Sequence, residues 1–108
     1  MTQKESSAKS RDLVLHVKKI FYDQIFSGEK KEEYRLVSPF WETRLLNKKY
    51  ELLYIVPAYP KGNQGALIMP YRGYVIKTIQ HDHFGINPVT VFAIDVSGQR
   101  RDTPSISQ

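Results

Sequence analysis

The chain has no cysteine, which removes disulfides, thiolate nucleophiles and Cys-ligated zinc from the chemistry open to it. It has no apolar run long enough to span a bilayer. Its first eleven residues are polar and lack the apolar stretch of a secretory signal. These absences point to a cytoplasmic protein with no membrane partner. There is no internal repeat and no interdomain linker, and 108 residues amount to one domain. With 41% hydrophobic residues, one modest core and room for one site are expected.

Positive charge is in excess, at +5, but it is unevenly placed. Residues 12–98 carry eleven Lys/Arg and nine Asp/Glu, whereas residues 1–11 and 99–108 together carry five basic and two acidic residues. The composition predicts a disordered basic N-terminal tail over 1–11, a folded domain over 12–98 and a flexible C-terminal tail over 99–108. Basic tails attract phosphates at long range, and they also serve ordinary solubility.

Hydrophobic patterning predicts the elements. Leu13, Val14, Leu15, His16 and Val17 read as a strand buried on one or both faces, with His16 a satisfied core histidine. Residues 18–27 follow at helical spacing, with Phe21/Ile25 and Tyr22/Phe26 at i, i+4. Gly28 can cap that helix in a left-handed conformation, which places Lys30 just beyond its tip. Residues 32–37 read as a strand whose alternation sets Glu33 and Arg35 on one face and Tyr34 on the other. Ser38 is an expected N-cap and Pro39 an expected first helical residue. A second short helix then runs over 40–46, with Trp41 and Leu45 on one face. Further strands are expected over 51–57, over 66–69 and 71–79 (separate, or one long bent strand) and over 89–96. Turn residues Pro60, Gly62, Asn63 and Gly65 mark a loop over 57–65, and Gly85, Asn87 and Pro88 mark another over 81–88. Pro70 is disfavoured in a central ladder. Five to six short strands with two short helices make an α+β domain, and their spacing suggests a small, partly closed barrel.

Chemistry concentrates in Gly28, Lys30, Glu33 and Arg35, spaced as Gly-x-Lys-x-x-Glu-x-Arg. A glycine allows a sharp turn, so Lys30 can point back into a cleft. A lysine there donates to a phosphate or a base carbonyl, and if desolvated it can serve as base or nucleophile. Glu33 and Arg35 on one face can pair, the carboxylate accepting from an exocyclic amine and the guanidinium clamping a phosphate. Read as a bare charge run, residues 30–33 are a solvated face with surface ion pairs worth little.

The stretch from Phe21 to Arg35 containing this spacing resembles the ASCH family, and Pro39-Phe40-Trp41-Glu42-Thr43-Arg44-Leu45 is similar to a subgroup common in bacteriophage and prophage proteins. Arg72-Gly73 and Val91-Phe92-Ala93-Ile94 also fit, so the resemblance covers roughly residues 12–98. It implies a PUA-like small β-barrel and an RNA- or nucleotide-binding pocket built on Lys30, Glu33 and Arg35, while Lys31 and Glu32 face solvent. Some members are similar to small amidohydrolases that deacetylate acetylcytidine, which would make Lys30 and Glu33 catalytic; a few resemble metal-dependent ribonucleases. The deacetylating members carry Thr where Glu33 stands and a carboxylate in a helical insertion that has no counterpart between Thr78 and Val89. The motif therefore speaks for binding more than for catalysis.

Other residues are weighed beside it. Tyr59 and Lys61 flank a Pro/Gly loop and are expected at the cleft mouth, although such loops are usually turn chemistry alone. Arg72 is expected to reach phosphate or to pair with an acidic neighbour. Trp41 reads first as a core anchor and second as a stacking platform. A protein-interaction role, as of a phage-encoded modulator, would expose Phe40, Trp41 and the 57–60 loop as anchors. His81-Asp82-His83 invites a metal, but a site needs three or more convergent ligands, and Gly85 and Pro88 favour a turn, so no metal and no cofactor is expected.

Overall fold

The computed structural model describes residues 11–58 and 65–98, apart from the side chain of His83. The tails expected at the two ends lie outside the described residues, Arg11 excepted, and so do Tyr59 and Lys61. The elements are β1 (Asp12–Val17), α1 (Lys19–Ser27), β2 (Glu32–Leu36), α2 (Pro39–Leu45), β3 (Leu52–Pro57), β4 (Leu67–Pro70), β5 (Tyr74–Ile79), a single 3-10 turn (Asp82–Phe84) and β6 (Val89–Asp95). Among the described residues this is an α+β arrangement of six strands and two short helices.

The strands pair into two three-stranded sheets, ordered β1-β3-β4 and β2-β6-β5. The ladders among the described residues do not close into one continuous barrel. β1 and β3 run parallel, which requires a long crossover; α1, β2 and α2 supply it. β4 and β5 belong to different sheets, so residues 66–79 are two strands and not one bent strand. Pro70 ends the edge strand β4, where its missing N–H disrupts least.

Alternation directs the core. In β1, Leu13, Leu15 and Val17 are buried while Val14 and His16 face out. One face of this strand is therefore buried, and His16 is an exposed histidine, not a core one. Leu53, Ile55, Leu67 and Met69 of the same sheet meet Phe92 and Ile94 of the other, with Tyr22 and Ile25 from α1 and Leu45 from α2 closing the cluster. Tyr22 buries its ring and donates its hydroxyl proton to the Gly65 carbonyl at 2.6 Å. That bond satisfies the polar end of an otherwise apolar side chain.

The segment before the motif is shaped by two caps. Gly28 ends α1 at φ 87° and its N–H bonds to the Ile25 carbonyl, a conformation that strains any residue with a Cβ. The Lys30 N–H then bonds back to the Gln24 carbonyl at 3.0 Å, which turns the chain into β2. After β2, Ser38 caps α2 by accepting from the Trp41 N–H, and Pro39 holds the first helical position. This fixes the angle at which Trp41 approaches the sheets.

Candidate functional site

β2 is an edge strand of its sheet, and β1 is an edge strand of the other. In the register of β2 with β6, Glu33 lies opposite Ile94 and Arg35 opposite Phe92. Because Phe92 and Ile94 point into the core, Glu33 and Arg35 share their face and point between the sheets. Tyr34 lies opposite Ala93 on the other face. The guanidinium of Arg35 crosses the gap: Nη2 donates to the His16 carbonyl of β1 at 2.8 Å.

Between the two edges opens a cavity of about 550 Å³. His16, Val17 and Lys18 form one wall, Glu33, Tyr34, Arg35 and Leu36 the opposite one. Phe21 comes from α1, Phe40 and Trp41 from α2, and His81 and Phe84 from the 3-10 turn segment. Tyr34 also lines it, although strand alternation turns its side chain away from Glu33. The His81 ring meets Tyr34 edge-on at 5.9 Å and Phe84 at 6.2 Å.

Glu33 is buried, at 6% exposure, and among the described residues it is the one buried charged side chain. Lys30 Nζ lies 3.7 Å from one of its oxygens and Arg35 Nη2 lies 3.0 Å from the other. Both cations also lie over rings. Lys30 Nζ is 5.0 Å from the Phe21 centroid and 4.8 Å from that of Tyr34; the Arg35 guanidinium is 4.9 Å from the Trp41 ring. One carboxylate between two cations leaves a net charge of +1 in a setting of low polarity, where charge interactions are strong. Arg35 Nε is buried with no hydrogen-bond partner. The Tyr34 hydroxyl has its pKa raised by burial and by the neighbouring Glu32 carboxylate, to which it also donates, against a smaller opposing effect of Lys77. It therefore presents a neutral ring at neutral pH.

Lys30, Glu33 and Arg35, expected together, are brought together. Lys31 is exposed, as expected. Glu32 is not a solvated residue: it is half-buried and accepts from Lys77 Nζ at 2.9 Å and from Tyr34. The reason is that Glu32 stands opposite Asp95 in the ladder, and two facing carboxylates need neutralising. Lys77 serves the first, and Arg72 Nε, 3.2 Å from Asp95, serves the second. Arg72 thus pairs with an acidic neighbour and lies away from the aromatic cavity. Asp95 is desolvated, which raises its pKa. The Ser97 hydroxyl and amide, with Arg72, outweigh that and bring the pKa below the usual aspartate value.

Trp41 is partly buried against the core, as an anchor, and it also walls the cavity. Phe40 beside it is 54% exposed and carries the Arg44 guanidinium over its ring at 3.5 Å. Sequence reasoning missed His16, Lys18, His81 and Phe84 as wall residues. For His16 a signal existed, since it alternates with Leu13, Leu15 and Val17. For His81 and Phe84 there was none, because a loop meets β2 only through the tertiary fold. Among the described residues, no group of three or more His, Asp or Glu is placed to hold a metal ion, and no helix is long and apolar enough to cross a membrane. Comparison of the chain with protein-family models, with curated proteins and with solved structures found no match.

Proposed function

We propose that this chain is an ASCH-like domain that binds RNA or a nucleotide, in the cytoplasm, in the cavity between the β1 and β2 edges. The two sheets would be the two sides of a PUA-like small barrel. The observation that carries the reading is the buried Glu33 held between Lys30 and Arg35 inside a ring of aromatic side chains. A flat, apolar-faced ring carrying polar edges and an attached anion matches each part of that wall. Aromatic faces stack on bases with little regard to sequence. Glu33 accepts from an exocyclic amine, while Lys30 and Arg35 donate to carbonyl or phosphate oxygens. A cavity of about 550 Å³ is within the usual size of small-ligand sites.

Titration calorimetry with the common nucleoside 5′-monophosphates and short RNA tests this. Lys30→Ala is expected to weaken binding about tenfold or more, and equal affinity of variant and wild type would sink the proposal.

A second reading is hydrolysis of an amide on a modified nucleoside such as acetylcytidine. It is favoured by the presence of an amine and a carboxylate, Lys30 and Glu33, in one shielded cavity. Chromatography after incubation with acetylcytidine decides it: release of cytidine that is lost in Lys30→Ala supports the enzyme, and an unchanged substrate at high protein concentration rejects it.

A further inference from the structure

Among the described residues four strands stand at sheet edges, β1 and β4 in one sheet and β2 and β5 in the other. Three of these edges are engaged or blunted. Arg35 donates across to β1, β2 borders the aromatic cavity, and β4 is four residues long and ends in Pro70. The fourth, β5, runs six residues in unbroken register with β6, without proline, glycine or a carboxylate. Open strand edges pair with other chains unless charge, proline or a bulge prevents it.

The one charge that could guard this edge is drawn away from it. Lys77 Nζ donates to both Glu32 oxygens, at 2.9 and 3.1 Å. Glu32 belongs to β2, on the far side of β6, so the amine reaches back across the sheet. What remains is apolar on both faces. Val75 and Ile76 are each more than half exposed, and alternation sends them to opposite sides. Ile76 lies opposite Phe92 on the core side, and Val75 opposite Ala93 on the other.

The main chain is open as well. The Gly73 carbonyl accepts from the Asp95 N–H at 3.0 Å, so Gly73 turns its polar groups toward β6. Antiparallel alternation turns those of Val75, Lys77 and Ile79 the same way. It leaves the N–H and C=O groups of Tyr74, Ile76 and Thr78 pointing off the sheet.

Two such edges fit each other. A two-fold axis perpendicular to the sheet keeps each residue on its own face. Centred on Ile76, it sets Ile76 opposite itself, Tyr74 opposite Thr78 and Val75 opposite Lys77 of the second copy. The outward N–H and C=O groups then exchange bonds pair by pair. Ile76 covers its own counterpart, Val75 rests on the aliphatic stem of Lys77, and no like charges stand opposite. Centring on Lys77 instead would set two lysines face to face and carry Tyr74 past the end of the partner strand.

We propose that β5 is a homodimer interface, joining two copies through one continuous six-stranded sheet. Six residues of strand span about 20 Å, short for a standard interface of about 1,600 Å². The dimer is therefore weak and reversible, with a dissociation constant of about 10–100 μM. It leaves the aromatic cavity open, because no β5 residue lines that cavity.

Sedimentation velocity of the full chain from about 5 to about 500 μM tests this. A monomer giving way to a dimer across that range is expected. Ile76→Lys and Ile76→Glu each set like charges against each other at the axis, and each should weaken the dimer about tenfold. An equimolar mixture of the two variants should restore it, since lysine then faces glutamate. Circular dichroism checks that both keep the wild-type fold. Hydrogen exchange followed by NMR needs no variant and decides the matter should one misfold. The amides of Tyr74, Ile76 and Thr78 are expected to exchange freely in dilute protein and severalfold more slowly at high concentration. Those of Val75 and Lys77, bonded to β6, should stay protected throughout. A chain that remains monomeric at the highest concentration overturns the proposal, as does a dimer that both variants leave intact. Dissociated variants that fail to recover on mixing overturn the pairing at Ile76.

Discussion

Arg35 Nη2 donates to the His16 carbonyl at 2.8 Å, so one side chain joins the free edges of two sheets across the mouth of the cavity. The same nitrogen lies 3.0 Å from Glu33, and the guanidinium plane covers Trp41. A planar, multi-donor group can meet these demands together, whereas a lysine ammonium is a point charge on a flexible stem. Arg35→Lys is expected to lower stability by about 1.5–3 kcal/mol, the range for losing a hydrogen bond to a charged group, and to loosen the cavity. Urea denaturation measures the first effect and ligand titration the second.

Glu33 is the counter-charge for both cations, and removing it leaves them uncompensated beside the core. Glu33→Ala is expected to destabilise by about 3 kcal/mol, as when one partner of a buried pair is deleted. Lys30→Met added to Glu33→Ala should recover part of the loss, because replacing a buried charged pair by neutral groups is far cheaper than breaking it. A double-mutant cycle by chemical denaturation checks this; strictly additive losses would show that the Lys30–Glu33 attraction contributes nothing.

The polar trio was legible in the sequence because each member depends on local geometry. Gly28 ends α1 in a left-handed turn, and strand alternation puts Glu33 and Arg35 on one side. The Ser38–Pro39 cap was legible for the same reason. Residues whose role depends on distant chain were not. The 3-10 turn brings His81 to Tyr34, and the Lys77–Glu32 bond follows from a register no local pattern reveals. For Arg72 two outcomes were open, a phosphate or an acidic neighbour, and only the β5-β6 pairing, which sets it beside Asp95, decides between them. The strand pattern implied a small barrel; the pairing of six strands into two sheets depends on which edges are left free.

Trp41 is the one tryptophan of the chain, and its ring lines the cavity beneath Arg35. A ligand entering there should alter its emission. Titration with a bound nucleotide is expected to change fluorescence with the same midpoint as calorimetry. Trp41→Phe should remove the signal while keeping a ring for Arg35 to cover, so affinity should fall by only about threefold to tenfold. Unaltered emission at saturation would place the ligand elsewhere.

Phe92 is fully buried at the middle of β6, with Tyr74 edge-on at 5.0 Å. It backs Arg35 in the ladder and joins the core to the site. Phe92→Ala is expected to cost about 3–5 kcal/mol, the range for emptying an aromatic core position. In a domain of ordinary stability that is a large share of the total, so a drop in thermal midpoint large enough to leave part of the chain unfolded at room temperature is expected. Phe92→Leu, which refills most of the volume, should cost less, and differential scanning calorimetry separates the two.

Alkaline pH should act through Tyr71. Burial pushes its hydroxyl up to about 12, with smaller contributions from Tyr74 and Tyr50, whose ring it meets edge-on at 5.3 Å. In the unfolded chain the same group ionises near the ordinary value of about 10. Below that value both states are protonated and the stabilising contribution is fully present. As pH rises from about 10 toward 12, the unfolded chain loses its proton first, and the contribution of the buried phenol is lost. Urea midpoints are therefore expected to fall across that window, with ultraviolet difference absorbance reporting the late ionisation. Tyr71→Phe keeps the packed ring and removes the titrating group. Its midpoint should fall less over the same interval, and an identical fall would assign the alkaline loss to other phenols, such as the half-buried Tyr34 and Tyr50, whose pKa values are also raised chiefly by burial.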